Sequence, residues 1–189
     1  KPHGTFDNVK LGSADQNKMK SAKIGKAAIT SANIEAAAEG AYQTWLKYKE
    51  SHSKDPNVKQ FDLTKEFLAD IIRLESGGNQ YAINEGKTGK NPHYGIFQVT
   101  SELITLSGGR ISEWSNISTN TNAALHLWFS WSVPQLLSKR ARAARLNPNS
   151  SFNFYMMHQQ GPSGWMDVVE AYANSAKRNQ YPTGAMRAR

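Results

Sequence analysis

The chain of 189 residues contains no cysteine. That absence excludes disulfide frameworks, thiolate zinc sites, CxxC redox chemistry and cysteine nucleophiles together. Long apolar runs are missing too. The longest stretch, around Leu125 to Trp131, is interrupted by His126 and Ser130, and a membrane-spanning helix needs roughly 18 apolar residues in a row. No membrane span is expected. No pattern of basic start, apolar centre and small-residue cleavage site is visible either. There is no Walker loop, GxGxxG, GxSxG or HExxH, so the common nucleotide, serine-nucleophile and zinc-protease motifs are absent. The five histidines, His3, His52, His93, His126 and His158, are spread too widely for metal-ligand spacing. Neither a metal nor another cofactor is expected.

What remains is an ordinary globular composition with a basic excess. Hydrophobic residues make up 39% and charged residues 20%, too apolar for a wholly disordered chain. Lys and Arg number 23 against 15 Asp and Glu, a formal charge of +8. Such a charge attracts polyanions, whether nucleic acid, anionic lipid or an acidic cell-wall polymer, and does not choose among them. No helix-turn-helix, zinc-finger or RNP-like pattern supports specific nucleic-acid binding.

The chain divides into two unequal parts. Residues 1–60 read as a basic N-terminal arm or linker followed by an Ala-rich helix. Lys1 to Lys26 is rich in Lys, Gly, Ser and Asn, and a helical pattern follows from Ala27 to Tyr48, strongest at Tyr42, Trp45 and Leu46. Residues 61–189 are denser in helical periodicity. Asp62 or Thr64 can cap a helix with Phe67, Leu68, Ile71, Ile72 and Leu74 on one face, stopped by Gly77-Gly78. A turn-rich stretch from Asn79 to Tyr94 follows, then the apolar run Gly95 to Val99 and a small helix at Ser101 to Leu106. Thr121 or Asn122 starts a helix that Pro134 kinks or ends. Gln135 to Leu146, Phe152 to Gln159 and Met166 to Lys177 complete the pattern, with Lys139, Arg140, Arg142 and Arg145 crowding an exposed side. The expected class is mainly α with little or no β and long irregular loops; no hairpin signal is convincing.

Glu75 is the most informative single residue. It closes the Phe67–Leu74 helix at the edge of the apolar stripe, one turn from Ile71 and Ile72. A helix C-terminus disfavours an anion, because the macrodipole is negative there. Partial burial acts in the same direction, and both raise a carboxyl pKa, as a general acid near neutral pH requires. A solvated Glu at a fraying helix end is the competing reading of the same spacing.

The segment Glu75-Ser76-Gly77-Gly78-Asn79, then Ala82, then Gly95-Ile96-Phe97-Gln98-Val99-Thr100, resembles the signature of the lysozyme-like lytic transglycosylases. In that family a helix ends in Glu-Ser, and a Gly-Leu-Met-Gln-like segment follows across a loop. Asn116-Ile117 with Asn122 to Leu127 is similar to the family's Asn-Ile stretch. Met157-His158-Gln159-Gln160-Gly161 falls where the family has Ala-Tyr-Asn-Ala-Gly. The likeness covers roughly residues 61 to 175, about 60% of the chain.

The resemblance implies a lysozyme-like helical domain with a cleft, and Glu75 as the catalytic acid. It assigns substrate binding to Ser76, Tyr94, Phe97, Gln98, His158 and Gln159. His158 stands where the family's Tyr hydrogen-bonds the catalytic carboxylate, and a histidine also titrates near neutrality. Gln159 stands where an Asn orients the substrate's N-acetyl group. Tyr81, Tyr94, Phe97, Trp114 and Tyr155 are candidate sugar platforms or core residues. The implied partners are peptidoglycan glycan strands, with residues 1–60 able to anchor a secretion or virion assembly. The implied location is the bacterial cell wall, periplasmic or extracellular, or delivery in a phage particle. A hydrolytic muramidase or chitinase would need a second carboxylate, for which Glu85, Glu102, Glu113 and Asp167 are the candidates and Glu85 the first. A non-catalytic wall-binding or virion protein on the same fold is the other alternative.

Overall fold

The computed structural model describes residues 31–86 and 89–178. The expected arm, residues 1–26, and the first residues of the Ala-rich helix, 27–30, lie outside the described residues. The protein is mainly helical: α1 (Ser31–Ser51), α2 (Pro56–Gln60), α3 (Lys65–Glu75), α4 (Ser101–Leu106), α5 (Ile117–Leu127), α6 (Val133–Leu136), α7 (Lys139–Ala143), α8 (Ser151–Gln160) and α9 (Pro162–Arg178). Two short strands, β1 (Ile83–Asn84) and β2 (His93–Tyr94), pair antiparallel with Ile83 opposite Tyr94. No helix among the described residues is long and apolar enough to cross a membrane.

α3 is the centre of the packing. Thr64 caps it by accepting the Phe67 N–H, and Phe67, Leu68, Ile71, Ile72 and Leu74 are buried. The Ser76 and Gly77 amides close the helix end on the Ile72 carbonyl. Gly78 then turns the chain at φ +85°, and a Cβ there would fall 2.7 Å from the Ile34 nitrogen of α1. Only glycine suits that position, on conformation and on space.

α1 packs against both α3 and α5. Its buried face runs Ile34, Ala37, Ala38, Ala41, Trp45, a spacing of three and four residues. The alanines let the helices approach closely: a Cβ on Gly40 would sit 2.9 Å from Ile117 Cγ2. Trp45 stacks on Phe129, ring centroids 5.1 Å apart and 6° from parallel. A boundary at residue 60 therefore cuts through one hydrophobic core. The Ala-rich helix belongs with residues 61–178, because its small side chains fit it between two other helices.

Helix limits differ from expectation where caps and proline decide them. α5 begins at Ile117 rather than Thr121 or Asn122, because Asn116 accepts the Thr119 N–H and caps it. Its continuation widens into a π turn at Trp128–Ser132 before α6, with the Val133 N–H on the Trp128 carbonyl. Pro134 has no N–H to give to the preceding turn, so a wider turn ahead of it keeps the helix running. Gln135 to Leu146 is not one helix: Ser138 accepts the Ala141 N–H and starts α7 afresh. α9 begins at Pro162, four residues before Met166, since proline suits the first helical position. Arg140 is not free at the surface; its guanidinium binds Glu170 and Asp167 on α9.

If α1 is part of the core, Trp45→Ala should lower stability by about 3–5 kcal/mol, seen as a lower urea midpoint. An unchanged midpoint would return α1 to the status of an appendage.

Candidate active site

Three elements meet around Glu75: the end of α3, the turn Gly95–Gln98 and α8. The turn is closed by Tyr94 and Val99, which exchange backbone bonds of 2.9 and 3.0 Å. Gly95 has φ +75°, and a Cβ there would lie 2.2 Å from Asn120 Nδ2. Gln98 has φ +50°, a left-handed conformation that disfavours a side chain. Its amide nitrogen donates to Gly95 O at 2.9 Å and Ala82 O at 3.2 Å, which holds the strained residue in place. Gln98 thus knits two loops together, and the expectation that its amide addresses a glycan is revised accordingly.

Two side chains bind this turn to the helices beside it. Ser76 Oγ lies 2.9 Å from Ile96 O and 3.2 Å from Ile72 O, and accepts the Gly78 N–H. Asn120, buried on α5, accepts the Phe97 N–H at 3.0 Å and donates to Tyr94 O at 2.8 Å and Trp114 O at 3.0 Å. Phe97 itself is fully buried, edge-on to Trp128 at 5.3 Å. It is a core residue and presents no face to a sugar.

The Glu75 side chain retains 15% exposure, but its Oε1 is buried with no hydrogen-bond partner. Burial pushes the carboxyl pKa up to about 7, opposed by a hydrogen bond with Tyr155. Desolvation is the larger cause, since removing a carboxylate from water disfavours its charged form. Tyr155, not His158, is the residue that hydrogen-bonds the carboxyl group.

His158 is placed beside Glu75 in another role. Trp128 Nε1 donates to its Nδ1 at 2.9 Å. An indole nitrogen is only a donor, so Nδ1 is bare and Nε2 carries the proton. Nε2 donates to Phe97 O at 2.8 Å and stands 4.0 Å from Glu75 Oε1. Burial holds the ring's pKa down to about 4, with the Phe97 bond opposing and His93 assisting. His158 is therefore neutral at pH 7, and the expectation that it titrates near neutrality is corrected. The pair is not an ion pair.

The remaining candidates lie further out. Gln159 is exposed, its amide 3.4 Å from the Tyr155 hydroxyl. Tyr94 is half-buried against Trp114, ring centroids 5.4 Å apart, and Tyr81 is exposed. Glu85 is exposed just after β1, and Glu102 is exposed on α4. Glu113 pairs with Arg110, and Asp167 with Arg140. Sequence reasoning missed Asn120, the Trp128–His158 bond and the Tyr155 contact. Asn120 had a usable signal: it falls on the buried stripe of α5, four residues before Ala124.

Comparison with protein-family models, with curated proteins and with solved structures finds no match to this chain.

Asn120→Leu should cost about 2–4 kcal/mol, because three backbone groups lose their partners, and should speed hydrogen exchange at the Phe97 amide. Unaltered exchange there would show that the clamp is dispensable. Glu75 also sets a pH dependence. Its folded pKa lies above the ordinary 4.5, so its contribution to stability is lost as pH rises from about 4.5 to about 7. Glu75→Gln removes that titration. The variant should match the wild type near pH 4 and exceed it by about 3 kcal/mol above pH 8; parallel stability curves would contradict the burial argument.

Proposed function

We propose that the protein is a peptidoglycan lytic transglycosylase, with Glu75 as acid and then base. The observation that carries this reading is a carboxyl group at a loop-lined helix end, held protonated up to about pH 7 by burial and set beside a neutral ring. The resemblance of the Glu75-Ser76 and Gly95–Gln98 segments to that family supports it, and so does the direct linkage of these segments through Ser76.

Glu75 gives its proton to the oxygen linking N-acetylmuramic acid to N-acetylglucosamine, and the bond from that oxygen to the muramyl C1 breaks. The sugar's own N-acetyl group stabilises the cationic carbon. Glu75, now a carboxylate, takes the proton of the muramyl 6-hydroxyl as that oxygen bonds to C1. One residue gives a proton and recovers one, so no water is consumed and the product is a 1,6-anhydromuramyl end.

The carboxylate inventory favours this over hydrolysis. Hydrolysis needs a second carboxylate about 5–9 Å from the first. Of the four candidates, Glu113 and Asp167 are paired with arginines and Glu85 and Glu102 are exposed. None contributes to the Glu75 pKa, whose causes are burial and Tyr155.

Glu75→Gln should abolish clearing of purified sacculi while leaving the circular-dichroism spectrum intact. Wild-type products should carry ends lighter by one water in mass analysis. Undiminished clearing by the variant would reject Glu75 as the acid; intact reducing ends throughout would move the reading to a muramidase.

A further inference from the structure

Glu75 Oε1 is buried without a partner and lies 4.0 Å from His158 Nε2. The residual exposure of the side chain therefore belongs to its other atoms. When the carboxyl group releases its proton, the negative charge spreads over both oxygens. A buried carboxylate oxygen with no donor is strongly disfavoured. The N–H beside it is that of His158 Nε2, engaged at 2.8 Å with Phe97 O.

That N–H is fixed from both sides of the ring. Phe97 O only accepts, which calls for the proton on Nε2, and the indole donor on Nδ1 holds the same tautomer when that bond is given up. The proton is thereby confined to the nitrogen that faces both Phe97 O and Glu75 Oε1. The titratable groups facing the ring are Glu75 from α3 and His93 from β2, while Tyr155, one turn earlier on α8, faces Glu75.

We propose that Trp128 is a positioning residue that fixes His158 as a movable hydrogen-bond donor: its Nε2–H rests on Phe97 O while Glu75 is protonated and moves onto Glu75 Oε1 when the carboxyl group ionises. This rests on the reading of Glu75 as a group that loses and regains a proton. No covalent bond in His158 changes, and the ring stays neutral throughout. A pivot about the Trp128 contact closes the gap from 4.0 Å to about 3 Å, the length of an ordinary N–H···O bond. The Phe97 carbonyl can share the same proton as a three-centre bond. Tyr155 then serves one side of the carboxylate and His158 the other.

The test is NMR on the full chain with labelled histidine and glutamate, with no glycan present. His158 should show a bare Nδ1 and a protonated Nε2 across the titration. Its Nε2–H resonance should move downfield as Glu75 ionises around pH 7. A protonated Nδ1, or an Nε2–H signal that ignores the Glu75 titration, overturns the proposal. Trp128→Phe should release the ring from its Nδ1 anchor and broaden the Nε2–H resonance, and both it and His158→Phe should raise the Glu75 midpoint by about one pH unit. His158→Gln, whose amide can supply an N–H, should leave the midpoint nearly in place. Unmoved midpoints in both phenylalanine variants also overturn the proposal. If either variant unfolds, the wild-type resonances decide. A wild-type protein that shows the shift yet leaves sacculi intact supports this donor and rejects the transglycosylase reading.

Discussion

The Asn120 carboxamide accepts one backbone N–H and donates to two backbone carbonyls, so a single side chain on α5 fixes Phe97, Tyr94 and Trp114 at once. Those contacts determine where the Gly95–Gln98 turn lies, and the turn in turn positions the Phe97 carbonyl that receives His158. Gly95 shows how tight the arrangement is, since even a methyl group there would overlap the Asn120 amide. Buried backbone groups in an irregular loop have no ladder to satisfy them. A polar side chain from a neighbouring helix does that work here, with Ser76 supplying the same service from α3.

Around this clamp the protein accumulates features that lower its stability. Gln98 is held left-handed, Glu75 Oε1 is buried without a donor, and a neutral acid faces a neutral ring. Each could be relieved by a simple replacement: glycine at 98, an apolar residue or glutamine at 75. These local violations are concentrated around one carboxyl group that is kept protonated. The frame is correspondingly conservative, with Trp45, Phe67, Phe129 and Phe154 all buried and packed ring on ring.

What could be read from the sequence follows the range of the interaction. α3 was legible because Phe67, Leu68, Ile71, Ile72 and Leu74 are local neighbours on one helical face, and Thr64 caps within three residues. The mainly helical class and the stop at Gly77-Gly78 were legible for the same reason. Gln135 to Leu146 was expected as one helix, because a cap such as Ser138 looks like any other serine until the chain is seen to break before it. The contacts that shape the site were not legible, because they join residues far apart in the chain. Trp128 meets His158 across thirty positions, and Phe97 meets His158 across sixty-one. Helical spacing gives the face a side chain occupies and says nothing of what lies opposite. Phe97 and Tyr155 were each open to two readings, sugar platform or core residue, and the structure places Phe97 in the core and Tyr155 on the carboxyl group.

The net charge of +8 poses a physical difficulty that the geometry answers. A cationic protein should favour the ionised form of every carboxyl group it carries. At about 10 Å in water, however, one charge contributes only ~0.4 kcal/mol, and salt reduces that further. Raising the Glu75 pKa from 4.5 to about 7 corresponds to about 3 kcal/mol in the opposite direction. Burial therefore wins, provided that no cation comes close. His158 is a basic group that does lie close, and a charged imidazole at 4.0 Å would reverse the outcome by pairing with the carboxylate. Its own burial keeps it neutral, with the Trp128 N–H occupying Nδ1 and the Phe97 bond opposing. The protonated state of Glu75 thus depends on a second residue being prevented from taking up a proton, and one indole N–H helps by occupying the lone pair of that residue's Nδ1.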